Sequence, residues 1–172
     1  LAPTFADDGT EMIPRRQLQY DTLVLSVGSN TNDFGTKGVK EHCLFLDSQR
    51  QAEHFQHHFI EKWMAACNQT NDLRPGQLNI AIAGAGATGV ELAAELHTAV
   101  EEMTRGGLDN VHKMPVEFTL LDAADRVLPA LNEKISAHTE TILQSLGVNV
   151  LTSEMITEAT DTGFHTKSGK FV

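Results

Sequence analysis

The sequence predicts an α/β fold: a parallel sheet with crossover helices, followed by an antiparallel meander. Three observations carry this expectation. From Leu78 onward, short apolar runs alternate with segments of helical periodicity in the order strand, helix, strand, helix, strand. A glycine-rich turn, Gly84-Ala85-Gly86-Ala87-Thr88-Gly89, joins the first of these strands to the first of these helices. After the last strand, "MITEATDTGFHTKSGKFV" alternates apolar and polar residues between turns at Asp161 to Gly163 and Ser168 to Gly169, as a meander does.

Each element has its own local reason. "FADDGTEMIP" places an Asp-Gly turn between two short strand candidates and predicts a hairpin. Leu18 to Val27, "LQYDTLVLSV", is a near-continuous β-rich run of the kind found in the middle of a sheet, and "GSNTNDFGTKG" then supplies turn residues. Ser48 followed by Gln51 makes a capping box, and Ala52, Phe55, Phe59, Trp63 and Cys67 recur at helical spacing, so a helix is expected from about Ser48 to Cys67. The polar "NQTNDLRPGQ" leads into a buried strand from Leu78 to Ala83. The helix after the glycine turn runs from Thr88 to about Arg105, with Val90, Ala93, Ala94, His97, Val100 and Met103 inward and Glu95, Glu101 and Glu102 outward; Gly106 and Gly107 stop it. Val116 to Asp122 is the next strand. Asn132 caps a helix that Gly147 ends after Leu146, and "VNVLT" is the following strand.

The bulk composition narrows the function classes. The chain has 172 residues, 41% of them hydrophobic and 21% charged, which is enough for one good core and part of a second. A formal net charge of -10 with no Lys/Arg cluster argues against nucleic acid as a partner. No apolar stretch approaches the roughly 20 residues needed to cross a bilayer, and no signal-peptide pattern opens the chain. Cys43 and Cys67 are too widely spaced for a C-x-x-C pair and too few to staple a secreted domain, so a reducing, cytoplasmic setting is expected. The chain begins at Leu1 and closes at Val172 on what reads as an unfinished strand, so it is expected to be a piece of a larger protein.

The glycine turn is where chemistry enters. Gly84 lets the chain turn sharply out of the strand, Gly86 removes a side chain where a diphosphate approaches the backbone, and Gly89 lets the helix sit close to the sheet. Ala87 and Thr88 open the helix, whose aligned peptides place about half a positive charge at its N-terminus. A second requirement is an acid at the end of the following strand, where one carboxylate accepts both hydroxyls of an adenosine ribose. Asp122 stands there. It lies beyond the usual spacing of roughly 20 residues because "TRGGLDNVHKMP" is inserted between helix and strand. An acid at this position repels a 2′-phosphate, and Ala123 and Ala124 offer no cation to receive one, so NADH is expected over NADPH. Arg126 is the one nearby side chain able to reach the adenosine. A ligand-free tight turn and a solvated strand end remain open readings of the loop and of Asp122.

"AIAGAGATGVELAAEL" and "VEFTLLDAADRVLPAL", with "YDTLVLSVGSNTNDFGTKGVKEHCLFLD" upstream, resemble the bacterial type II NADH dehydrogenases, the single-subunit NADH:quinone oxidoreductases. The resemblance implies a two-dinucleotide-domain flavoprotein in which Leu1 to Phe45 ends the first FAD-domain segment and Leu46 to Val172 forms most of a Rossmann-like NADH domain. It further implies hydride transfer from NADH to FAD and then to a quinone. Membrane attachment is implied through regions outside this sequence, on the cytoplasmic face of the inner membrane. The chain by itself is then expected to bind NADH weakly and to turn over nothing. The flavin does the bond chemistry, so no catalytic residue is expected here, and the segment's task is to position the nicotinamide. Glu91 matches a family position near the nicotinamide carboxamide, with a first-turn acid favoured by the helix dipole as the other reading. "SVGS" departs from the usual Ala-Thr-Gly of related flavoproteins. An NADH-sensing module, a Rossmann domain for another adenosine ligand and a disulfide reductase relative are the alternatives.

Two further groups stand apart from the glycine turn. His54 and His58 lie one helical turn apart, with His57 between them, but nothing visibly completes a metal site. By the same resemblance the sheet partners of Leu23 to Val27 lie outside this sequence, so this run is expected to pair with another copy, dock elsewhere or be poorly ordered.

Overall fold

The computed structural model describes residues 1–28, 30–71, 74, 76–105 and 116–172, and it divides into two compact units, Leu1–Asn30 and Thr31–Val172. Gly106, Gly107, most of the 104–115 insert and part of the polar connection before Leu78 lie outside the described residues.

The first unit contains the expected hairpin. Strands β1 (Thr4–Phe5) and β2 (Glu11–Ile13) pair antiparallel around the Asp8-Gly9 turn, where Gly9 takes φ +84° and Thr10 N–H donates to Asp8 Oδ1 at 2.9 Å. The run Leu18 to Val27 corrects the sequence reading. It forms no strand among the described residues, and Val24 and Val27 are 79% and 93% exposed. A strand exists only when neighbours accept and donate along its ladder, and a β-rich sequence alone does not supply them.

The second unit is built on a three-stranded parallel sheet, β3 (Ile80–Ala83), β4 (Phe118–Leu121) and β5 (Val148–Leu151), in that spatial order. Helix α3 (Ala87–Arg105) connects β3 to β4, and α4 (Glu133–Ser145) connects β4 to β5. Before the sheet come a one-turn helix α1 (Val39–His42), which the sequence reading missed, and α2 (Gln49–Asn68). After it, β6 (Ile156–Ala159) and β7 (Phe164–Thr166) form the antiparallel ribbon, and Phe164 exchanges two backbone hydrogen bonds with Val172.

Alternation along the strands assigns the two sheet faces. Ile80, Ile82, Phe118, Leu120, Val148 and Val150 face one core with Ala93 and Leu96 of α3, Leu143 of α4 and Phe55 of α2. Ala81, Leu121 and Leu151 face the other, against Ala159 and Phe164 of the ribbon and Val39 and Cys43. Because both faces are covered, the strands read as unbroken apolar runs. Leu96 was absent from the expected inward stripe of α3, whereas Glu95, Glu101 and Glu102 are exposed as expected. Cys43 packs into the second core, and burial pushes its pKa up.

The helix caps follow the sequence. Ser48 Oγ accepts from Gln51 N–H at 3.3 Å, while the Gln51 side chain accepts from Asp47 N–H at 2.8 Å, one residue upstream of the usual capping-box donor. Asn132 Oδ1 accepts from Lys134 N–H at 2.8 Å. Residues 31–45 pack within the second unit: Thr31 donates twice to Asp47 Oδ1, and Lys37 accepts from Ala159 N–H at 2.8 Å.

Candidate functional site

The in-register parallel pairing places Ala83, Leu121 and Leu151 side by side at the carboxyl ends of β3, β4 and β5. The residues that follow, Gly84, Asp122 and Thr152, therefore leave the sheet along one edge. This is where ligands bind in open parallel sheets.

Gly84 takes φ +105°, a conformation that L side chains rarely adopt, and its N–H donates to Leu121 O at 2.7 Å. Gly89 is required by proximity: a Cβ there would lie 1.8 Å from Gly84 O. Gly86 shows the converse, since a Cβ built on it meets nothing within 4 Å. The open side of Gly86 is thus the space a methyl group would take from an approaching ligand. Gly84, Gly86, Ala87, Thr88 and Glu91 are all exposed, so the loop and the first turn of α3 face outward. Among the described residues nothing accepts from the N–H groups of Gly86, Ala87 or Thr88. Helix-opening amides without acceptors, beside an open cradle, suit a diphosphate in both charge and shape.

Asp122 meets the loop directly. Its Oδ2 accepts from Ala85 N–H at 2.6 Å and its Oδ1 from Ala124 N–H at 2.7 Å. Ala85, fully buried, also accepts at its carbonyl from Leu128 N–H at 2.8 Å, and Leu128 itself takes φ +48°. The sequence reading missed Ala85, Ala124 and Leu128, because they act through main-chain atoms that any residue carries. The small, buried second residue of the turn was the only available signal. Arg126 is turned back on its own loop, its Nη2 donating to Pro129 O at 2.9 Å. Glu91 sits one turn into α3 on the exposed side, without a hydrogen-bond partner among the described residues.

Elsewhere the titratable groups serve the scaffold. Glu154, at the turn between β5 and β6, lies 2.6 Å from Lys170 Nζ and accepts from Ser168 Oγ at 2.8 Å; both hold its carboxyl below the ordinary value. Lys37 and Glu158 pair at 2.7 Å. Among the described residues no three His, Cys, Asp or Glu side chains gather as metal ligands, and the His54 and His58 rings stand 6.5 Å apart.

Known proteins match the chain over nearly its whole length. The family model described as pyridine nucleotide-disulphide oxidoreductase matches residues 4–170. A type II NADH:quinone oxidoreductase of Haemophilus influenzae is 40% identical over 98% of this chain, which spans 41% of that relative's length. An external alternative NAD(P)H-ubiquinone oxidoreductase B1 of Arabidopsis thaliana is 34% identical over 92% of the chain and 28% of its own length. Among solved structures, NDH2 of Plasmodium falciparum in complex with NADH superposes with a TM-score of 0.72 at 24% identity, covering 94% of this chain and 32% of that one. The resemblance read from the segments Tyr20–Asp47, Ala81–Leu96 and Val116–Leu131 is met by relatives of the expected kind. With the match running almost end to end and the parallel-sheet fold in place, the chain belongs to the pyridine nucleotide-disulphide oxidoreductase family.

Proposed function

We propose that this chain is the NADH-holding portion of a type II NADH:quinone oxidoreductase. In the whole enzyme, hydride passes from NADH to FAD and both electrons then pass to a quinone. One observation carries the reading: the acceptor-free amides of Gly86, Ala87 and Thr88 open beside the Asp122 carboxylate on the carboxyl edge of the sheet. Gly84 and Gly89 shape the turn, the first-turn amides hold the diphosphate, and Asp122 takes the adenosine ribose. Glu91 orients the nicotinamide carboxamide. No residue here exchanges a proton with the substrate; the contribution is positioning.

Residues 1–45 belong on this reading to the first FAD-domain segment and 46–172 to the NADH domain. Flavin, quinone and the membrane surface engage regions outside this sequence, with the whole enzyme peripheral on the cytoplasmic face of the inner membrane. The exposed apolar run Leu23–Val27 is available for pairing with a second copy. In the described residues no helix is long and apolar enough to cross a membrane.

Calorimetric titration with NADH and NADPH in parallel tests the site. NADH is expected to bind more tightly, because the Asp122 carboxylate opposes a 2′-phosphate. A preference for NADPH would overturn the role given to Asp122.

A further inference from the structure

The loop that receives the diphosphate is held in shape by the same carboxylate that the reading above assigns to the ribose. Asp122 is anchored by its own backbone, with its N–H donating to Leu151 O at 3.0 Å and its carbonyl accepting from Glu154 N–H at 2.9 Å. From that fixed base each carboxylate oxygen takes one main-chain proton, from Ala85 on the loop after β3 and from Ala124 on the loop after β4. Ala85 is held from both sides, since Leu128 N–H occupies its carbonyl. With its N–H tied inward, the N–H groups that follow, of Gly86 and Ala87, are left without acceptors among the described residues.

We propose that Asp122 is a positioning residue for the diphosphate, acting through the Ala85 N–H, in addition to its contact with the ribose. This rests on the NADH reading for its ligand but not for its geometry. The acid type is required by hydrogen-bond arithmetic. A carboxylate offers an acceptor oxygen to each of the two N–H groups, whereas an asparagine offers one oxygen and turns an NH₂ toward the other donor. Asp122→Asn therefore leaves Ala85 or Ala124 facing a donor and releases the loop, although it keeps the volume and removes a negative charge that opposes a diphosphate.

The probe that separates the two roles is 2′,3′-dideoxy-ADP, which carries the diphosphate and has no ribose hydroxyls to offer. With the ribose contact alone, Asp122→Asn would bind this probe as the wild type does, or more tightly for want of the negative charge. With the clasp, its binding weakens by about tenfold, the usual scale for losing a hydrogen bond to a charged group. A second readout uses no ligand: amide exchange at Ala85 and Ala124, followed by NMR, is expected to be slow in the wild type and about tenfold faster in Asp122→Asn, with Leu120 unchanged.

Unchanged exchange at Ala85 in the variant, or undiminished binding of the dideoxy probe, overturns the proposal. Should the variant not fold, the wild type decides, because a freely exchanging Ala85 amide is incompatible with the clasp. A wild type that binds no NADH yet shows the Ala85 protection and its loss in Asp122→Asn would remove the site reading and leave the clasp standing.

Discussion

Gly89→Ala tests the helix-to-sheet approach on which the site depends. The added Cβ would stand 1.8 Å from Gly84 O, and ordinary contact begins at 3.4 Å, so helix and loop must part by about 1.6 Å. The obstructing atoms are the backbone oxygen and carbon of Gly84 at the exit of β3, which cannot yield by rotating, whereas Leu120 Cδ1, 3.4 Å away, is at ordinary contact. Overpacking of this kind costs about 1–3 kcal/mol, and the helix-propensity gain of alanine over glycine returns up to about 1. A net loss of about 1–2 kcal/mol corresponds to roughly 2–8 °C in Tm for a chain of this size. The displaced first turn also carries the acceptor-free amides with it, so NADH affinity is expected to fall about tenfold. Gly86→Ala is the matched control. Its Cβ meets nothing, so stability should stay within about 0.5 kcal/mol of wild type while NADH affinity falls, because the methyl group occupies the ligand's approach. Urea denaturation and nicotinamide fluorescence titration read the two quantities separately. A Gly89→Ala protein as stable as wild type, or a Gly86→Ala protein with unchanged affinity, would refute the account of the loop.

Other consequences concern the scaffold. Asn132→Ala removes the side-chain acceptor for Lys134 N–H at the start of α4 and is expected to destabilise by about 1 kcal/mol in chemical denaturation, with NADH affinity unaltered. Lys170 first, then Ser168, hold the Glu154 carboxyl below its ordinary value of 4.5. Its contribution to stability is therefore complete above that value and is lost as the pH falls through the lower folded value. Stability measured from about pH 6 down to about pH 3 should decline, and the decline should be shallower in Glu154→Gln; parallel curves for the two proteins would rule this pair out as a source of the acid dependence.

Much of the architecture was written in local pattern. Ser48 and Asn132 cap helices where their spacing from the helical runs put them, and the apolar strands flanking the glycine turn pair in parallel as the order of elements requires. These features depend on neighbours a few residues away, and such terms are visible in one dimension. The sequence also marked the edge, since Gly84 turns the chain out of β3, Gly89 lies against Gly84 O, and Asp122 stands at the end of the next strand, where the pattern placed them. Tertiary structure decided the rest. Leu18–Val27 has the composition of a buried strand and none of the pairing, because pairing belongs to partners and not to propensity. Cys43 enters a core made with Leu121, Ala159 and Phe164, all far along the chain from it. Above all, the bond from Ala85 N–H to Asp122 spans 37 positions and uses an atom common to nearly all residues, so only the register of β3 against β4 brings it into being. Side-chain chemistry can be read along a chain; which main-chain donor meets which carboxylate depends on how the strands are laid together.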